Sequence, residues 1–338
     1  MGQINKVAIL TSGGDAPGMN AAIRAIVIAA QHYQIDVIGY YHGYNGLIEN
    51  ESRLLSLSDV NNIIHRGGTL LKSARCPAML EIQGLKQAAN TLLKEKVDAL
   101  IVIGGDGSFS GLLALQAYWS GLTIGIPATI DNDLDGTDFT IGFTTAVNTA
   151  IEAIDKIRDT ANAFDRIFII ELMGRQSGHI TFNVGVACAA EQVLSFENVK
   201  PEQQKEKLSL LAKDIQSSQS NHHESYLIVM AENLWLGGVT KLVEQLKEYA
   251  NIDATACILG HIQRGGSPVA KDRILATKMG VAAIQKLMQK KSNIMIAEQD
   301  NTITEISLEN AVKHTKKVSQ GLINAQEDIL ALTAQNQC

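Results

Sequence analysis

The chain is 338 residues long with 46% hydrophobic and 19% charged residues, which suits one large or two medium globular domains and excludes a disordered chain. A formal net charge of −6 argues against general binding to nucleic acid or to an anionic membrane, so any phosphate site must be built from local basic residues. Cys76, Cys188, Cys257 and Cys338 form no CxxC pair, which disfavours a zinc site or a disulfide framework. Met1 to Leu10 carry no basic-then-apolar leader and no run approaches a membrane span, so the simple expectation is a cytoplasmic protein.

Short apolar runs alternate with longer helical stretches along nearly the whole chain. Strands are expected at Val7–Leu10, Val37–Tyr41, Leu100–Ile103, Thr123–Ile126, Ile167–Leu172, Tyr226–Ala231 and Cys257–Leu259. Most of these runs are continuously apolar, as strands buried on both faces of a parallel sheet are. Val147, Ile151, Ile154 and Ile157 recur at helical spacing, and Glu152 and Lys156 make an i,i+4 pair on the wet face. Strand–helix alternation of this kind predicts a right-handed α/β layered fold. No Pro-, Ser- or Gly-rich linker marks a domain boundary.

Six of the strands run into polar or glycine-bearing turns: Thr11-Ser12-Gly13-Gly14-Asp15, Gly104-Gly105-Asp106-Gly107, Thr129-Ile130-Asp131, Met173-Gly174-Arg175, Glu232, and His261-Ile262-Gln263-Arg264. The carboxyl ends of parallel strands share one edge, where ligands bind, so six such turns predict an active-site rim. Gly13 and Gly18 have the spacing of a Walker A loop, but Met19-Asn20 replace its Lys-Ser/Thr. A glycine loop at a helix N-terminus still attracts phosphate through backbone N–H groups. Gly104-Gly105-Asp106-Gly107-Ser108 misses the dinucleotide fingerprint because its third glycine arrives late, at Gly111. There, Asp106 is placed to hold Mg²⁺ and Gly107 leaves room for a triphosphate. Asp131 and Asp133 alternate along an extended turn, so one can act as base while the other serves the metal or local hydrogen bonds. Arg166, Arg175 and the His261/Arg264 pair lie near strand ends and suit phosphate oxygens. Each feature alone has a plainer reading: a tight turn, a solvated aspartate, an Asx-rich turn, a surface ion pair. His222-His223 and Lys290-Lys291 read as solvated residues.

Taken in order, Thr11 to Asn20, Gly104 to Ser108, Thr129 to Asp133, Met173 to Arg175 and Gly260 to Pro268 resemble the motifs of bacterial 6-phosphofructokinases, from about Lys6 to Gly280. The resemblance implies two Rossmann-like three-layer lobes with mostly parallel sheets and an active site in the cleft between them. It places the larger, nucleotide-binding lobe at 1–142 plus about 255–305, and the smaller, sugar-phosphate-binding lobe at 143–254 plus about 306–338. It implies transfer of a phosphoryl group from Mg-ATP to the 1-hydroxyl of fructose 6-phosphate by a homotetramer. Asp131 would be the base, with Asp106 serving Mg²⁺ and Asp133 supporting the metal or the base. Gly14, Arg75 and Gly105, Asp106, Gly107 and Ser108 would hold the nucleotide phosphates, with Cys76 near the adenine. Arg175, with Arg75 and Thr129, would stabilise charge on the transferring group. Thr129, Ile130 and Asp131, with Met173, Gly174 and Glu232, would contact the sugar. His261 and Arg264 would grip its 6-phosphate, and Arg166 would reach it from a neighbouring subunit.

Donor choice follows from sterics within the resemblance. Pyrophosphate-using relatives carry an aspartate and a lysine where this chain has Gly107 and Ala128, and small residues favour ATP. Several departures matter. Thr255 stands where an arginine usually meets the 6-phosphate, which predicts weaker fructose 6-phosphate binding or another sugar phosphate as acceptor. Cys76 and Leu80 replace an aromatic and a basic residue near the adenine. In the effector pocket Arg24, Arg158 and Glu191 remain, but Ile28, Leu57, Asn221 and His223 replace basic residues, predicting little activation by ADP and weak inhibition by phosphoenolpyruvate. The alternatives are the same chemistry with pyrophosphate as donor or sedoheptulose 7-phosphate as acceptor, and a non-catalytic regulatory paralogue. Retention of Asp106, Asp131, Asp133 and Arg175 weighs against the last.

Overall fold

The computed structural model describes residues 3–220 and 225–335, so Asn221, His222, His223 and Cys338 lie outside the described residues. The chain divides into two compact units, the first made of Met1–Thr145 and Arg264–Lys316, the second of Ala146–Gln263 and Lys317–Cys338. The crossing points differ from the expected boundaries. Residues 255–263 join the second unit because the strand there pairs with that unit's sheet. Residues 306–316 stay with the first unit, where Leu134 bridges Thr315.

In chain order the strands are β1 (Lys6–Thr11), β2 (Asp36–Tyr40), β3 (Ser52–Leu55), β4 (Ala99–Gly104), β5 (Leu122–Pro127), β6 (Ile167–Leu172), β7 (Gln192–Leu194), β8 (Tyr226–Ala231), β9 (Ala254–Ile258), β10 (Ile294–Gln299) and β11 (Thr302–Ser307). The first unit holds a seven-stranded sheet in the order β11-β10-β5-β4-β1-β2-β3. Its two outer pairs, β2–β3 and β10–β11, are antiparallel, and its inner pairs are parallel. The second unit holds a four-stranded parallel sheet, β7-β8-β6-β9.

Every residue of the central strands β4, β5 and β8 is buried, the condition their unbroken apolar runs imply. The edge strands follow other rules. The run read as a strand at Cys257–Leu259 is β9, beginning earlier at Ala254 and largely exposed, including Thr255 and Ile258. Its small residues give no apolar run because an edge strand has one covered side fewer. β3 and β11 escaped the sequence reading for the same reason: each is an outer strand rich in Ser, Thr or charged residues.

The helix Phe143–Asn162 carries the expected stripe, with Ile154 buried, Val147, Ile151 and Ile157 half-buried, and Glu152 and Lys156 exposed. Its first turn is pinned within the first unit by the fully buried Asp272. That carboxylate accepts from the N–H groups of Gly142 (3.0 Å) and Thr145 (2.7 Å) and from the Thr145 hydroxyl (2.5 Å). Burial pushes the Asp272 carboxyl above the usual range, and these three donors pull it back. Separate cores support the units: Tyr40, Leu92, Phe109, Leu112 and Trp119 in the first, Ile169, Leu211, Ile228, Trp235 and Leu242 in the second. Among the described residues no helix is long and apolar enough to cross a membrane.

Candidate active site

The six strand-end turns do not share one sheet. Those after β1, β4 and β5 belong to the first unit, and those after β6 and β8 belong to the second. The sixth turn, after β9, is itself divided, with His261 in the second unit and Arg264 in the first. The single rim expected from strand–helix alternation is thus two edges, because alternation is blind to which strands pair.

In the first unit, register brings the two acid-bearing turns together. β4 and β5 are parallel neighbours with Gly104 opposite Pro127, and the Ala128 N–H donates to the Gly104 carbonyl at 2.9 Å. The chains therefore leave the sheet side by side: a Cβ built on Gly105 would stand 3.6 Å from the Thr129 Cβ. Asp106 opens the helix Asp106–Leu115 and is half-buried, while Asp131 is only 6% exposed. The Asp131 N–H donates to the Thr129 hydroxyl at 3.2 Å. A Cβ built on Gly107 would meet nothing within 4 Å, and the residue is not in the left-handed region. Neither packing nor backbone asks for glycine there. The open space adjoins the N–H groups of a helix start, a favourable place for phosphate oxygens.

The turn after β1 stands next to these two. The Ser12 N–H donates to the Ile103 carbonyl at 3.0 Å, and the Ser108 Oγ lies 3.4 Å from where a Cβ of Gly13 would be. A Cβ on Gly14 would lie 2.5 Å from Nη1 of Arg264, so a larger residue there displaces that guanidinium. That guanidinium also donates to the Asp15 carbonyl at 3.1 Å. Arg264, expected with His261 on a sugar 6-phosphate, is placed by these contacts on the Gly14-Asp15 loop.

A segment that the sequence reading passed over completes this region. Gly67, Gly68, Thr69, Lys72 and Ser73 line, with Gly13, Gly14 and Asp15, a cavity of about 450 Å³. Asn20 ties the segment to the helix Met19–His32, accepting from the Leu70 N–H at 2.6 Å and donating to the carbonyls of Arg66 and Gly67. The Ser73 hydroxyl donates to the Gly13 carbonyl at 2.8 Å. Lys72 adds an exposed cation to the cavity wall and holds a left-handed backbone, φ 58°. Its signal was present in the Arg66-Gly67-Gly68-Thr69 run, which follows no apolar strand and so did not stand out. Arg75 and Cys76 continue from this segment. Arg75 is exposed with its carbonyl accepting from Asn45 at 3.3 Å, and burial pushes the Cys76 thiol up.

The turn that carries Asp131 and Asp133 is closed on itself. Asn132 has φ 52° and accepts from the Thr140 N–H at 3.0 Å, while its amide donates to the Asp138 carbonyl at 3.3 Å. The Thr140 hydroxyl donates to the Thr129 carbonyl at 2.6 Å. Ile130 is fully buried, so it anchors the turn rather than lining an open surface.

In the second unit, Glu232 organises the turn after β6. One carboxylate oxygen accepts from the N–H groups of Gly174 (3.1 Å) and Arg175 (2.8 Å), and the Met173 N–H donates to Gln263 at 2.9 Å. Gly174 and Arg175 both have positive φ, 150° and 59°, which turns the chain sharply and leaves the Arg175 side chain exposed. Gln263, which accepts from the Met173 N–H, is fully buried; sequence reasoning took it as part of a motif and gave it no role. The exposed His261 lies on the segment after β9. Arg166 is not brought to this group. It precedes β6, while Met173 follows it, and the strand between spans roughly 20 Å. Thr255 shares Arg166's end of the sheet, since it pairs in register with Phe168.

Of the expected effector residues, Arg158 and Glu191 engage each other at 3.4 Å, and Arg158 also donates to the carbonyls of Cys188 and Ala189. Ile28 and Leu57 are 39% and 40% exposed in the first unit. Among the described residues no group of three or more His, Cys, Asp or Glu could hold a metal alone. A half-buried Asp106 beside open space suits Mg²⁺, which takes one or two carboxylates and completes its shell with substrate phosphates and water.

Comparison with known proteins agrees with this chemistry. The family described as "Phosphofructokinase" matches residues 6–287. ATP-dependent 6-phosphofructokinase 1 of Thermus thermophilus is 43% identical over 330 residues, covering 97% of this chain and 100% of that protein. The structure of phosphofructokinase from Saccharomyces cerevisiae superposes with a TM-score of 0.84 at 32% identity; the match covers 96% of this chain and 47% of the yeast chain. A pyrophosphate-dependent phosphofructokinase from Marinobacter aquaeolei, at 19% identity, 97% and 92% coverage and a TM-score of 0.81, shares the fold. The chain belongs to the phosphofructokinase family.

Proposed function

We propose that this chain transfers the terminal phosphoryl group of ATP to the 1-hydroxyl of fructose 6-phosphate, giving ADP and fructose 1,6-bisphosphate. The observation that carries the reading is the contact of the Gly105 and Thr129 turns, which sets the Asp106 and Asp131 segments side by side. Asp131 takes the hydroxyl proton as the oxygen attacks phosphorus, and the bond from phosphorus to the departing ADP breaks. Arg175 and Thr129 offset charge on the moving group. The N–H groups around Gly14 and from Gly105 to Ser108, with Arg75 and Lys72, hold the donor's phosphates. Asp106 would hold Mg²⁺, which when bound neutralises phosphate oxygens and orients them. Cys76 faces the base, and Asp133 supports the metal or Asp131.

Met173, Gly174, Glu232, His261 and Arg264 serve the sugar phosphate. Arg166 would complete the 6-phosphate site of a neighbouring subunit in a homotetramer, a reading supported by its distance along β6 from Met173. The open space at Gly107 and the buried, small Ala128 favour ATP as donor. A coupled assay with ATP, GTP and pyrophosphate against fructose 6-phosphate and sedoheptulose 7-phosphate tests the assignment. The expected result is highest kcat/KM with ATP and fructose 6-phosphate; preference for pyrophosphate, or no turnover with any pair, overturns it.

A further inference from the structure

The turn carrying Asp131 and Asp133 is held from behind by a segment far along the chain. Leu134 and Thr315 form an isolated antiparallel bridge. Next to it the Lys316 N–H donates to the Asp133 carbonyl at 2.9 Å, and the Lys316 ammonium donates to the Asp138 carbonyl. The Asp138 carbonyl also accepts from the Asn132 amide, and Asn132 is the residue between the two acids. Asp138 is itself fixed to β10 and the turn after it: its N–H donates to the Glu298 carbonyl at 2.7 Å, and its carboxylate accepts from the Asp300 N–H at 2.7 Å.

We propose that Lys316 is a positioning residue for phosphoryl transfer, clamping Asp133 through its main chain and Asp138 through its ammonium so that Asn132, and with it Asp131, keeps one orientation. The inference rests on the proposed role of Asp131. A plainer role, filling space at the unit's surface, would be met by the lysine stem alone. Three features argue for more. The ammonium is spent on a carbonyl that already serves Asn132, so it works on the same hydrogen-bond network as the acids. Both of its attachment points lie on the turn, one beyond each side of Leu134 to Thr137. Lys316 is half-buried, and an ammonium partly removed from water is retained at a cost that an apolar residue would avoid.

The test uses the full chain and initial rates with ATP and fructose 6-phosphate. Lys316→Met keeps the stem and the main-chain bond and removes the ammonium. The expected result is a kcat lowered about 10-fold with both KM values changed less than about 2-fold, and recovery of most of the rate in Lys316→Arg. In an Asp131→Ser background, Lys316→Met should alter the residual rate by less than about 2-fold, because residues acting as one unit are not additive. A wild-type kcat in Lys316→Met, a raised KM at unchanged kcat, or the same loss with and without Asp131 would overturn the proposal. If Lys316→Met does not fold, Lys316→Gln carries the same kinetic test. Full activity in Asp131→Ser alone would remove Asp131 as base, and with it the route by which Lys316 acts.

Discussion

The two acid-bearing turns of the first unit leave adjacent strands at the same height and are built in opposite ways. Around Gly107 the protein supplies nothing within 4 Å of a built Cβ, whereas the turn from Thr129 to Thr140 is closed by Asn132, Thr140 and Lys316. The difference suits the roles proposed for the two turns. A site for a polyphosphate leaves space and N–H groups for oxygens that the ligand brings. A base has to be held at one distance and angle, so its turn carries its own bonds.

Substitutions break this contrast from either side. The largest effect is expected at the closed turn, where Asp131→Ser should lower kcat by roughly 10²–10⁴ with an unchanged melting temperature; a retained rate shows that the base lies elsewhere. At the open turn, Gly107→Asp has room to fold normally but sets a carboxylate beside the donor's phosphates, and like charges there cost several kcal/mol. ATP-dependent kcat/KM should fall about 100-fold while thermal unfolding stays put. Unchanged ATP kinetics would mean that the space serves no donor.

Away from the two turns the effects shrink. Thr255→Arg restores a cation at an exposed edge strand, and a charge-assisted bond of about 1.5–3 kcal/mol should lower the KM for fructose 6-phosphate about 10-fold or more. Gly14→Ala sets a methyl group against the Arg264 guanidinium, which must move aside, and should raise the KM for ATP a few-fold with the melting temperature unchanged. The smallest effect is on stability against pH. Burial pushes the Lys316 ammonium down to about 8, opposed by Asp138, Asp135 and Asp133 and reinforced by Lys271. Above that pH the folded protein has lost a proton that the unfolded chain keeps, so stability rises with pH toward the ordinary lysine value. The melting temperature of the wild type relative to Lys316→Met should therefore climb between pH 7 and 9.5; a flat difference would place Lys316 in water.

Much of the fold was legible locally. Runs rich in Val, Ile and Leu located β1, β4, β5, β6 and β8, because strands covered on both faces have few polar positions, Thr123 in β5 and Glu171 in β6 being exceptions. The edge strands β9, β3 and β11 were misread or passed over, since they lack that constraint, and the inner, largely buried β10 was passed over as well. At the site, the glycine–acid turns announced themselves as breaks in apolar runs. Lys72 and Lys316 did not, for a lysine's partners leave no mark on the residues beside it.

By itself, then, the sequence determined the α/β class, the acids at the ends of β4 and β5, and, through its ordered motifs, the family. Tertiary structure alone decided that the strand-end turns divide between two sheets, that Arg264 lies on Gly14 while His261 belongs to the other unit, and that Lys316 reaches Asp133 and Asp138. Burial and strand period are properties of neighbouring residues and show in any short window. Strand pairing and long-range hydrogen bonds join residues far apart along the chain, as many as 249 positions for Arg264 and Asp15, and their geometry exists only once the chain has closed on itself.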